Sequence, residues 1–353
     1  MHGDFVIIKT EMMNIVHESG VETAPDLVQS TEGFQTLISA CGVAEPNSRA
    51  KIKLSGKDRV RWLNGMITNN IRDLAVGHGV YGFLLNPQGR IQGDLYAYQC
   101  PEALMVDTDR HQLESILTLF RRYIIMDKVE VADVTETIAV LQVAGKKTLA
   151  VLAKAGFEIP DLQPLQFVEL KWNGTPVTVI RGDLPGLPSY QLWCDPSNRN
   201  SLFDALIHSG ASTVSSSSLE LLRIALGVPR VGQDIRDRDL PQETEQSRAL
   251  NFAKGCYIGQ EIVERIRSRG NVHRTFQGFL IEGPLPAPGT AIEIEGKNAG
   301  EITSAASLPY NGGEQKVALG YLRREFATPG NKILIGGAEA EVAPLPFTKF
   351  FQL

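Results

Sequence analysis

The chain has 353 residues, of which 43% are hydrophobic and 21% are charged, and its formal net charge is −5. This length exceeds what one ordinary hydrophobic core holds, so two or three domains are expected. The negative charge argues against a protein that coats nucleic acid, and no apolar run approaches the length that spans a membrane.

Four cysteines, at positions 41, 100, 194 and 256, lie far apart and form no Cys-x-x-Cys pair. This spacing argues against a disulfide scaffold and against a zinc or iron–sulfur site held by one chain, so no tightly bound metal is expected. Asp4 and Glu11 interrupt the first apolar stretch, which does not fit a secretory signal. A cytoplasmic location is predicted.

The N-terminal third begins with weak patterning and then becomes rich in strand signals. Residues 1–30 predict an N-terminal arm or a first helix. Residues 50–54 alternate like a strand, and Asp58 can cap a short helix that follows. Two alternating runs, at 81–85 and 91–98, flank the turn sequence Asn-Pro-Gln-Gly, which predicts a β-hairpin.

The rest of the chain predicts a repeated α+β pattern and then a β domain. An amphipathic helix at 109–120 is followed by strand-like runs. A second, similar round includes a helix near residues 217–226, for which Ser217 and Glu220 form a capping box. From residue 276 to 353 short strand-like runs alternate with Gly and Pro turns, as in a small barrel or sandwich. The order predicts two α+β lobes near 31–135 and 136–275, interleaved or consecutive, before the β domain.

The most informative stretch is residues 254–261, which read Lys-Gly-Cys-Tyr-Ile-Gly-Gln-Glu. A cysteine beside a lysine, ahead of an apolar pattern with helical spacing, favours thiolate, because a cation and a helix N-terminus stabilise negative charge on sulfur. Gly255 and Gly259 permit a sharp turn or a close approach to a ligand. The alternative is that Cys256 is a small structural residue buried at a tight turn.

Two further features are candidate binding groups. Asp94 lies within a strand-like run, where its carboxylate could bind a ligand's amine or amide groups or act as a base, or could simply face solvent. Arg267, Arg269 and Arg274 form a basic run that predicts an anion site for phosphate, a carboxylate tail or RNA. The alternative is a solvated helix face with neighbouring glutamates.

Several of these segments together resemble a known family. The signature consists of Pro241-x-Glu243, then residues 252–261, and then Arg269-Gly270. It resembles that of the YgfZ-type folate-binding proteins, which are implicated in making or repairing iron–sulfur clusters. That group is related to the aminomethyltransferase, or T protein, of the glycine cleavage system. The resemblance extends from about residue 33 to 350 and includes residues 89–94, 222–227 and 300–304.

The resemblance implies a ring like that of the glycine cleavage T protein, built from two ferredoxin-like α+β lobes and a C-terminal β-barrel. Tetrahydrofolate or a one-carbon derivative would bind in a central channel. Asp94 falls at or next to a carboxylate that the transferases use near folate, Gln191 where they hold a pterin-binding glutamate, and Arg223 on a helix that supplies a folate-contacting arginine. The signature positions comprise Cys256, Lys254 and Tyr257 as the reactive group, with Gly255, Gly259, Gln260 and Glu261.

The function implied is a tetrahydrofolate-binding accessory protein that supports synthesis or repair of iron–sulfur clusters in client enzymes, with Cys256 as its essential thiol. Clusters normally take about four thiolate ligands, so further ligands must come from a partner or a small thiol. Gln191 departs from the transferase pattern, since a glutamine accepts hydrogen bonds only at its oxygen. A folate-dependent aminomethyl or one-carbon transferase that uses Asp94, and an RNA-binding or tRNA-modification accessory, remain alternatives. Whether the protein is an enzyme stays open at this point.

Overall fold

The computed structural model describes residues 24–46, 48–270 and 272–351. Residues 1–23 of the predicted N-terminal arm therefore lie outside the described residues. From there the chain forms helix α1 (Ala24–Ser39) and the short strand β1 (Gly42–Ala44). None of the helices in the described ranges is both long enough and apolar enough to cross a membrane.

The first lobe is an antiparallel five-stranded sheet with two helices on one face. Its strand order is β3-β4-β5-β2-β6, and β2 buries Ala50, Ile52 and Leu54 against the helices. The predicted hairpin is confirmed, since β3 and β4 pair around the turn at residues 86–89. In chain order the elements are β2 (Arg49–Ser55), α2 (Arg59–Met66), β3 (Gly79–Leu85), β4 (Ile91–Gln99), β5 (Leu104–Asp109), α3 (Leu113–Tyr123) and β6 (Glu130–Asp133).

The second lobe repeats the same β-α-β-β-β-α-β order of elements. Its strand order is β11-β1-β7-β10-β9-β8, so β1, which precedes the first lobe in sequence, lies inside the second sheet. In both lobes four strands keep the ferredoxin-like order with one more strand at an edge, and in the second lobe β1 is also inserted between β7 and β11. The elements are β7 (Ala139–Ala144), α4 (Thr148–Lys154), β8 (Phe167–Trp172), β9 (Thr175–Arg181), β10 (Ser189–Cys194), α5 (Arg199–His208) and β11 (Ser212–Thr213).

Two helices join the lobes to a closed six-stranded barrel. Helix α6 (Ser216–Ala225) is capped by Ser215, whose hydroxyl accepts a hydrogen bond from the Ser218 amide, so the predicted cap at Ser217 is wrong by two residues. Helix α7 (Gln260–Arg269) follows the signature loop. The barrel order is β12-β15-β14-β13-β16-β17. Its strands are β12 (Arg274–Glu282), β13 (Ala291–Ile294), β14 (Lys297–Tyr310), β15 (Gly313–Arg323), β16 (Lys332–Ile335) and β17 (Ala338–Ala343).

The predicted α+β class with a C-terminal β-barrel is therefore confirmed. Each lobe has its own core beneath its helices. The two sheet faces that the helices leave uncovered meet each other through Tyr98, Ile180 and Trp193. This meeting of sheets creates the cleft in which a ligand can lie.

Candidate functional site

A cleft lies between the two lobe sheets. Strand alternation places Asp94, Tyr96 and Tyr98 of β4 on the face that meets Gln191 and Trp193 of β10. The Tyr98 and Trp193 rings touch edge to face, with centroids 5.5 Å apart. Beside this contact is a cavity of about 150 Å³. It is lined by Arg49, Tyr96, Tyr98, Gln142, Leu165, Gly182, Asp183, Leu184, Ser189, Tyr190 and Gln191.

Asp94 is the candidate acid or base of the cleft. Its carboxylate accepts hydrogen bonds from the Gln112 amide (2.8 Å) and from the Tyr81 hydroxyl (2.7 Å). Burial raises the pKa of Asp94 above its usual value, while these two hydrogen bonds oppose the shift. Its neighbour on the same strand face, Tyr96, lines the cavity. Asp94 itself is not among the residues that line this cavity, and both of its carboxylate oxygens already accept hydrogen bonds from the protein.

Gln191 lines the cavity, but its oxygen is engaged. The Trp193 indole N–H donates to Gln191 Oε1 at 2.8 Å. Because an indole nitrogen is only a donor, this contact fixes which end of the amide faces Trp193. The NH₂ group is therefore the end of Gln191 that is left for a ligand, and the position offers hydrogen-bond donors where a glutamate would offer only acceptors.

A buried ion-pair group forms the wall of the first lobe behind the cleft. Lys51 Nζ lies 2.7 Å from Asp107 Oδ1, and Arg49 lies 3.0 Å from Asp107 Oδ2. Burial alone would raise the pKa of Asp107, but the two cations hold it below its usual value. The Lys51 ammonium also lies over the Trp193 ring, 4.7 Å from its centroid. The sequence analysis missed this group, although charged residues alternate with Ala50, Ile52 and Leu54 on β2 and signal a polar face.

The signature loop is attached to the first lobe along a line of hydrogen bonds. We call residues 248–258 the strap. The strap runs beside residues 64–69, which follow helix α2. Its hydrogen bonds are Asn69 Nδ2 to Arg248 O (2.9 Å), Thr68 Oγ1 to Ala249 O (2.6 Å), Asn251 N to Thr68 O (3.1 Å), Lys254 Nζ to the carbonyls of Asn64, Ile67 and Asn69 (2.6, 2.6 and 2.7 Å) and Ile258 N to Gly65 O (3.1 Å).

Cys256 lies at the surface of the strap. It is the only exposed cysteine of the four, because Cys41 and Cys194 are buried and Cys100 is half-buried. The alternative of a buried structural cysteine is therefore wrong. No group of three His, Cys, Asp or Glu side chains in the described part of the chain could hold a metal ion. Cys256 is therefore not part of a metal-binding group within the described residues.

Lys254 holds the strap in place and does not act directly on the thiol. Its ammonium is buried and donates to the three carbonyls named above, which takes all three of its hydrogens. Burial, with a smaller effect of the Arg72 cation, lowers the pKa of Lys254 to about 7. Helix α7 begins only at Gln260, four residues after Cys256. The predicted activation of the thiol by an adjacent cation and helix end is therefore not what the geometry provides.

We expect Lys254→Met to destabilise the protein by roughly 1–3 kcal/mol, because buried carbonyls lose their donor. The pKa of Lys254 is about 7 in the folded protein, below its ordinary value of 10.5. Between pH 7 and pH 10.5 the unfolded chain therefore binds a proton at Lys254 that the folded protein has released. The wild-type protein therefore gains stability relative to the variant as pH rises through that interval. Urea unfolding at pH 6.5 and 9.5 measures this, with the exposed Lys297→Met as control. An equal change in stability with pH in Lys254→Met and Lys297→Met would contradict the role of Lys254 as a buried donor to the strap contacts.

The remaining signature residues shape the strap around the thiol. The Tyr257 amide donates to Gln260 Oε1 at 3.3 Å, and the Tyr257 ring lies 4.9 Å from Lys254 Nζ. Burial, with a smaller effect of Glu264, raises the pKa of Tyr257 to about 12. Gly259 has a φ of +82°. Gly255 and Glu261 are exposed, and Glu261 lies in the first turn of α7, where a negative charge is favourable.

Arg223, predicted to contact folate, is instead part of a buried ion-pair network. It pairs with Glu220 (2.6 Å) and Asp234 (2.7 Å) and also donates to Ser304 Oγ of the barrel (2.9 Å) and to the Val228 carbonyl (2.6 Å). All of its nitrogen atoms have protein partners, so the geometry assigns it to joining α6 to the barrel. Sequence reasoning could not see this, because Ser304 is 81 residues away.

The predicted anion site does not form from the arginines whose side chains are described. Arg274 pairs with Asp239, Glu243 and Glu301, and Arg267 pairs with Glu264 at 3.5 Å. The Arg269 side chain lies outside what the structure describes. Because carboxylates occupy Arg267 and Arg274, these two do not supply the free basic surface on which the RNA-binding alternative rests.

Two charged residues that the sequence analysis missed connect the cavity with the strap. Asp183 lines the cavity and accepts a hydrogen bond from the Tyr96 hydroxyl at 3.3 Å. Arg248, the first residue of the strap, pairs with Asp183 and lies over the Tyr81 ring, 4.3 Å from its centroid. No local pattern could have paired residues that lie so far apart in sequence.

Comparisons with known proteins agree with this architecture. A family model described as the GCVT N-terminal domain matches residues 27–254, and one described as the CAF17 C-terminal beta-barrel domain matches residues 266–349. A putative chloroplastic transferase of Arabidopsis thaliana is 26% identical over 328 residues, which cover 91% of this chain and 74% of that protein. An aminomethyltransferase of Rubrobacter xylanophilus is 26% identical over 320 residues, covering 89% and 84%.

A solved structure shows the same fold. The glycine cleavage system aminomethyltransferase T from Bartonella henselae superposes with a TM-score of 0.81 at 19% identity, covering 91% of this chain and 90% of that one. This agreement confirms the expected likeness to the glycine cleavage T protein fold. Since the first family model matches most of the chain and the second matches the barrel, the chain belongs to the GCVT N-terminal domain family with a CAF17-type C-terminal β-barrel, as the YgfZ-type resemblance implied.

Proposed function

We propose that this protein binds tetrahydrofolate or a one-carbon derivative between its lobes and supports the synthesis or repair of iron–sulfur clusters in client enzymes through the Cys256 thiol. The observation that carries the proposal is the position of Cys256. It is the one exposed cysteine of the chain and lies on a strap that is hydrogen-bonded from its start near the cleft to its end at helix α7.

The residues of the cleft fit a pterin ring. Such a ring is flat and has a donor edge, which suits aromatic walls and hydrogen-bond acceptors. The cavity offers Tyr96 and Tyr190 as aromatic groups and Asp183 as a carboxylate. Ser189 Oγ is buried at the cavity and has no hydrogen-bond partner among the described residues, so a ligand can supply one.

The cavity also limits how much of a folate it can hold. Its volume of about 150 Å³ is below the ~300–1,000 Å³ of pockets that enclose whole drug-sized ligands. The ring would therefore be enclosed, and the aminobenzoyl-glutamate part would extend outside this cavity. When bound, a tetrahydrofolate could accept or donate a one-carbon unit, and in this proposal the half-buried carboxyl group of Asp94, two residues along β4 from the cavity residue Tyr96, exchanges a proton with it.

Cys256 would act in a second step, on a partner. Loss of its proton to solvent gives a thiolate, which can bind an iron atom of a cluster held jointly with a client or assembly protein or with a small thiol. An exposed position is required for such shared ligation, and a buried cysteine could not provide it. The client enzymes are the partners in this proposal, and no membrane component is needed.

A folate-dependent aminomethyl or one-carbon transferase is the second candidate function. It is favoured by the curated relative named an aminomethyltransferase and by the buried carboxylate of Asp94. It predicts turnover that Asp94→Asn abolishes and that Cys256→Ala leaves unchanged. The accessory function predicts the reverse dependence, because the thiol then carries the essential step.

The first test is an anaerobic calorimetric titration with tetrahydrofolate, for which we expect saturable binding by wild-type protein and by Cys256→Ala. In cells that lack the chromosomal copy, we expect Cys256→Ala to fail to maintain the activity of an enzyme with an oxygen-sensitive iron–sulfur cluster. Cys100→Ala, at the half-buried cysteine, is the matched control and should restore that activity. Full restoration by Cys256→Ala would refute the essential thiol, and absence of binding would refute the folate site.

A further inference from the structure

Asp183 and Arg248 form an ion pair at the cavity between the lobes. Asp183 is the only acidic residue among those that line the inner cavity, and its side chain is 15% exposed. Arg248 belongs to the strap that carries Cys256. The pair therefore joins the ligand cavity to the thiol-bearing segment through one contact between side chains.

The cavity has only one carboxylate that can receive the donor edge of a pterin. The position at which the resemblance implies an acceptor holds Gln191, and the Gln191 oxygen already accepts from Trp193. Asp183 Oδ1 accepts one long hydrogen bond, from Tyr96 at 3.3 Å, and Oδ2 faces the Arg248 guanidinium. A carboxylate can bind two parallel N–H donors, which is the arrangement that the 2-amino group and the adjacent ring N–H of a pterin present.

Arg248 is held so that loss of its carboxylate partner affects the strap. Its guanidinium lies over the Tyr81 ring and pairs with Asp183, which belongs to the second lobe. Its carbonyl accepts from Asn69 Nδ2, and the Asn69 carbonyl accepts from Lys254 Nζ. Asn69 thus touches the strap at its first residue and again two residues before Cys256. A change in how Arg248 is held therefore acts on the same hydrogen-bonded segment that positions the thiol.

We infer that Asp183 receives the donor edge of the bound pterin ring and that this exchange releases Arg248 and loosens the strap at Cys256. The inference rests on the proposed function, since it names the acceptor and the regulation of that same site. Without ligand, Arg248 neutralises Asp183. With ligand, the ring donors take the carboxylate, and Arg248 keeps its contact with Tyr81, the hydrogen bond from its Nε to Gln246 Oε1 (3.3 Å) and its backbone hydrogen bond. The thiol of Cys256 becomes more accessible when the cavity is filled.

Affinity is measured first, by anaerobic calorimetry with tetrahydrofolate. Asp183→Asn keeps the shape but loses the charged acceptor, so we expect roughly 10- to 100-fold weaker binding, the range of a lost hydrogen bond to a charged group. Gln191→Leu loses only neutral donors, so we expect a smaller loss. Thermal unfolding checks that each variant is folded. Equal binding by wild type and Asp183→Asn would overturn the role of Asp183.

A second measurement uses only the wild-type protein. We expect 6-methyltetrahydropterin to bind at least about tenfold more tightly than the ring that carries oxygen in place of the 2-amino group, because that ring has no 2-amino donor beside its N3–H for the Asp183 carboxylate. Equal affinity for the two rings would overturn the assignment even if Asp183→Asn failed to fold. If Asp183 had only a structural role, it would not make the protein prefer one ring over the other. The comparison therefore tests whether Asp183 contacts the ligand.

The coupling is measured as the rate at which iodoacetamide alkylates Cys256, with Cys256→Ser protein as the background. We expect tetrahydrofolate to raise this rate several-fold in the wild type. In Arg248→Met the rate should be high without ligand and unchanged by it. Arg267→Met is the matched control, because Arg267 also lies over an aromatic ring of the strap itself, 4.5 Å from the Phe252 ring centroid, but does not line the cavity. It should keep the ligand response of the wild type.

The outcomes separate this inference from the proposed function. If tetrahydrofolate does not bind wild-type protein, the folate site itself is refuted. If tetrahydrofolate binds wild-type protein and Asp183→Asn equally well, only the role of Asp183 as acceptor is refuted. If tetrahydrofolate binds through Asp183 but does not change the alkylation rate of Cys256, the coupling through Arg248 is refuted and the folate site is kept.

Discussion

Replacing Arg223 by methionine is expected to lower the free energy of unfolding by about 3–5 kcal/mol, the cost of breaking a buried ion pair by removal of one partner. The change would leave Asp234 fully buried with its charge no longer balanced by Arg223. It would also remove the donor to Ser304, which joins α6 to the barrel. Equilibrium urea unfolding followed by tryptophan fluorescence and circular dichroism measures the loss.

The control for this substitution is Arg267→Met on helix α7. Arg267 is an exposed arginine with one weak ion pair to Glu264, so its loss should change stability by no more than about 0.5 kcal/mol. The resemblance to folate-binding relatives implies instead that Arg223 contacts folate, so that its loss would lower folate affinity. If Arg223→Met kept wild-type stability and lost tetrahydrofolate affinity, Arg223 would be a ligand residue and the structural assignment would be wrong.

Gly259→Ala is expected to destabilise the protein by about 2–5 kcal/mol, the sum of left-handed backbone strain and overpacking. Gly259 has a φ of +82°. A Cβ added there would lie 2.7 Å from the carbonyl oxygen of Asn86, 2.9 Å from Cβ of Leu85 and 3.2 Å from Cα of Gly89. Most of these are main-chain atoms of the β3–β4 hairpin, so they cannot rotate away. Urea unfolding gives the stability, and the alkylation rate of Cys256 shows whether the strap moves.

Helix α7 supplies its own control, because a second glycine follows its other end. Gly270 has a φ of −155°, and an added Cβ would meet nothing within 4 Å. We therefore expect Gly270→Ala to leave both stability and the alkylation rate close to those of the wild type. Similar losses in the two variants would show that helix α7 is sensitive to any substitution, and that the contact of Gly259 with the hairpin is not the cause.

Local chemistry in the sequence was sufficient for some features of the site. The turn at residues 86–89 predicted the hairpin, because Gly89 supplies the positive φ that such a turn needs. The alternation on β4 put Asp94 on a strand, but the Gln112 and Tyr81 side chains that bind its carboxylate were not predicted. The glycines of the signature permitted a sharp turn, which Gly259 makes with its φ of +82°.

Other features depended on partners that are distant in sequence. The arginines at 267 and 274 were predicted to bind anions because the chain around them is basic. Their carboxylate partners include Glu301, which lies on a barrel strand 27 residues beyond Arg274. Lys254 was predicted to act on the adjacent thiol, but its hydrogen-bond acceptors lie at residues 64–69. Proximity in sequence is a poor guide to where a long, flexible cation places its charge.

The sequence by itself determined the class of fold, the C-terminal barrel, the family and the signature loop with Cys256, because these follow from strand alternation, turn residues and a specific motif. Only the tertiary structure decided which charges are free. It engaged Arg223, Lys254 and Arg274 with protein partners and left Cys256 exposed. It also brought Asp183 to Arg248 across the two lobes. The reason is that a charge or hydrogen-bond donor is satisfied by whatever the fold places within about 3 Å of it, and spacing along the chain does not fix that neighbour.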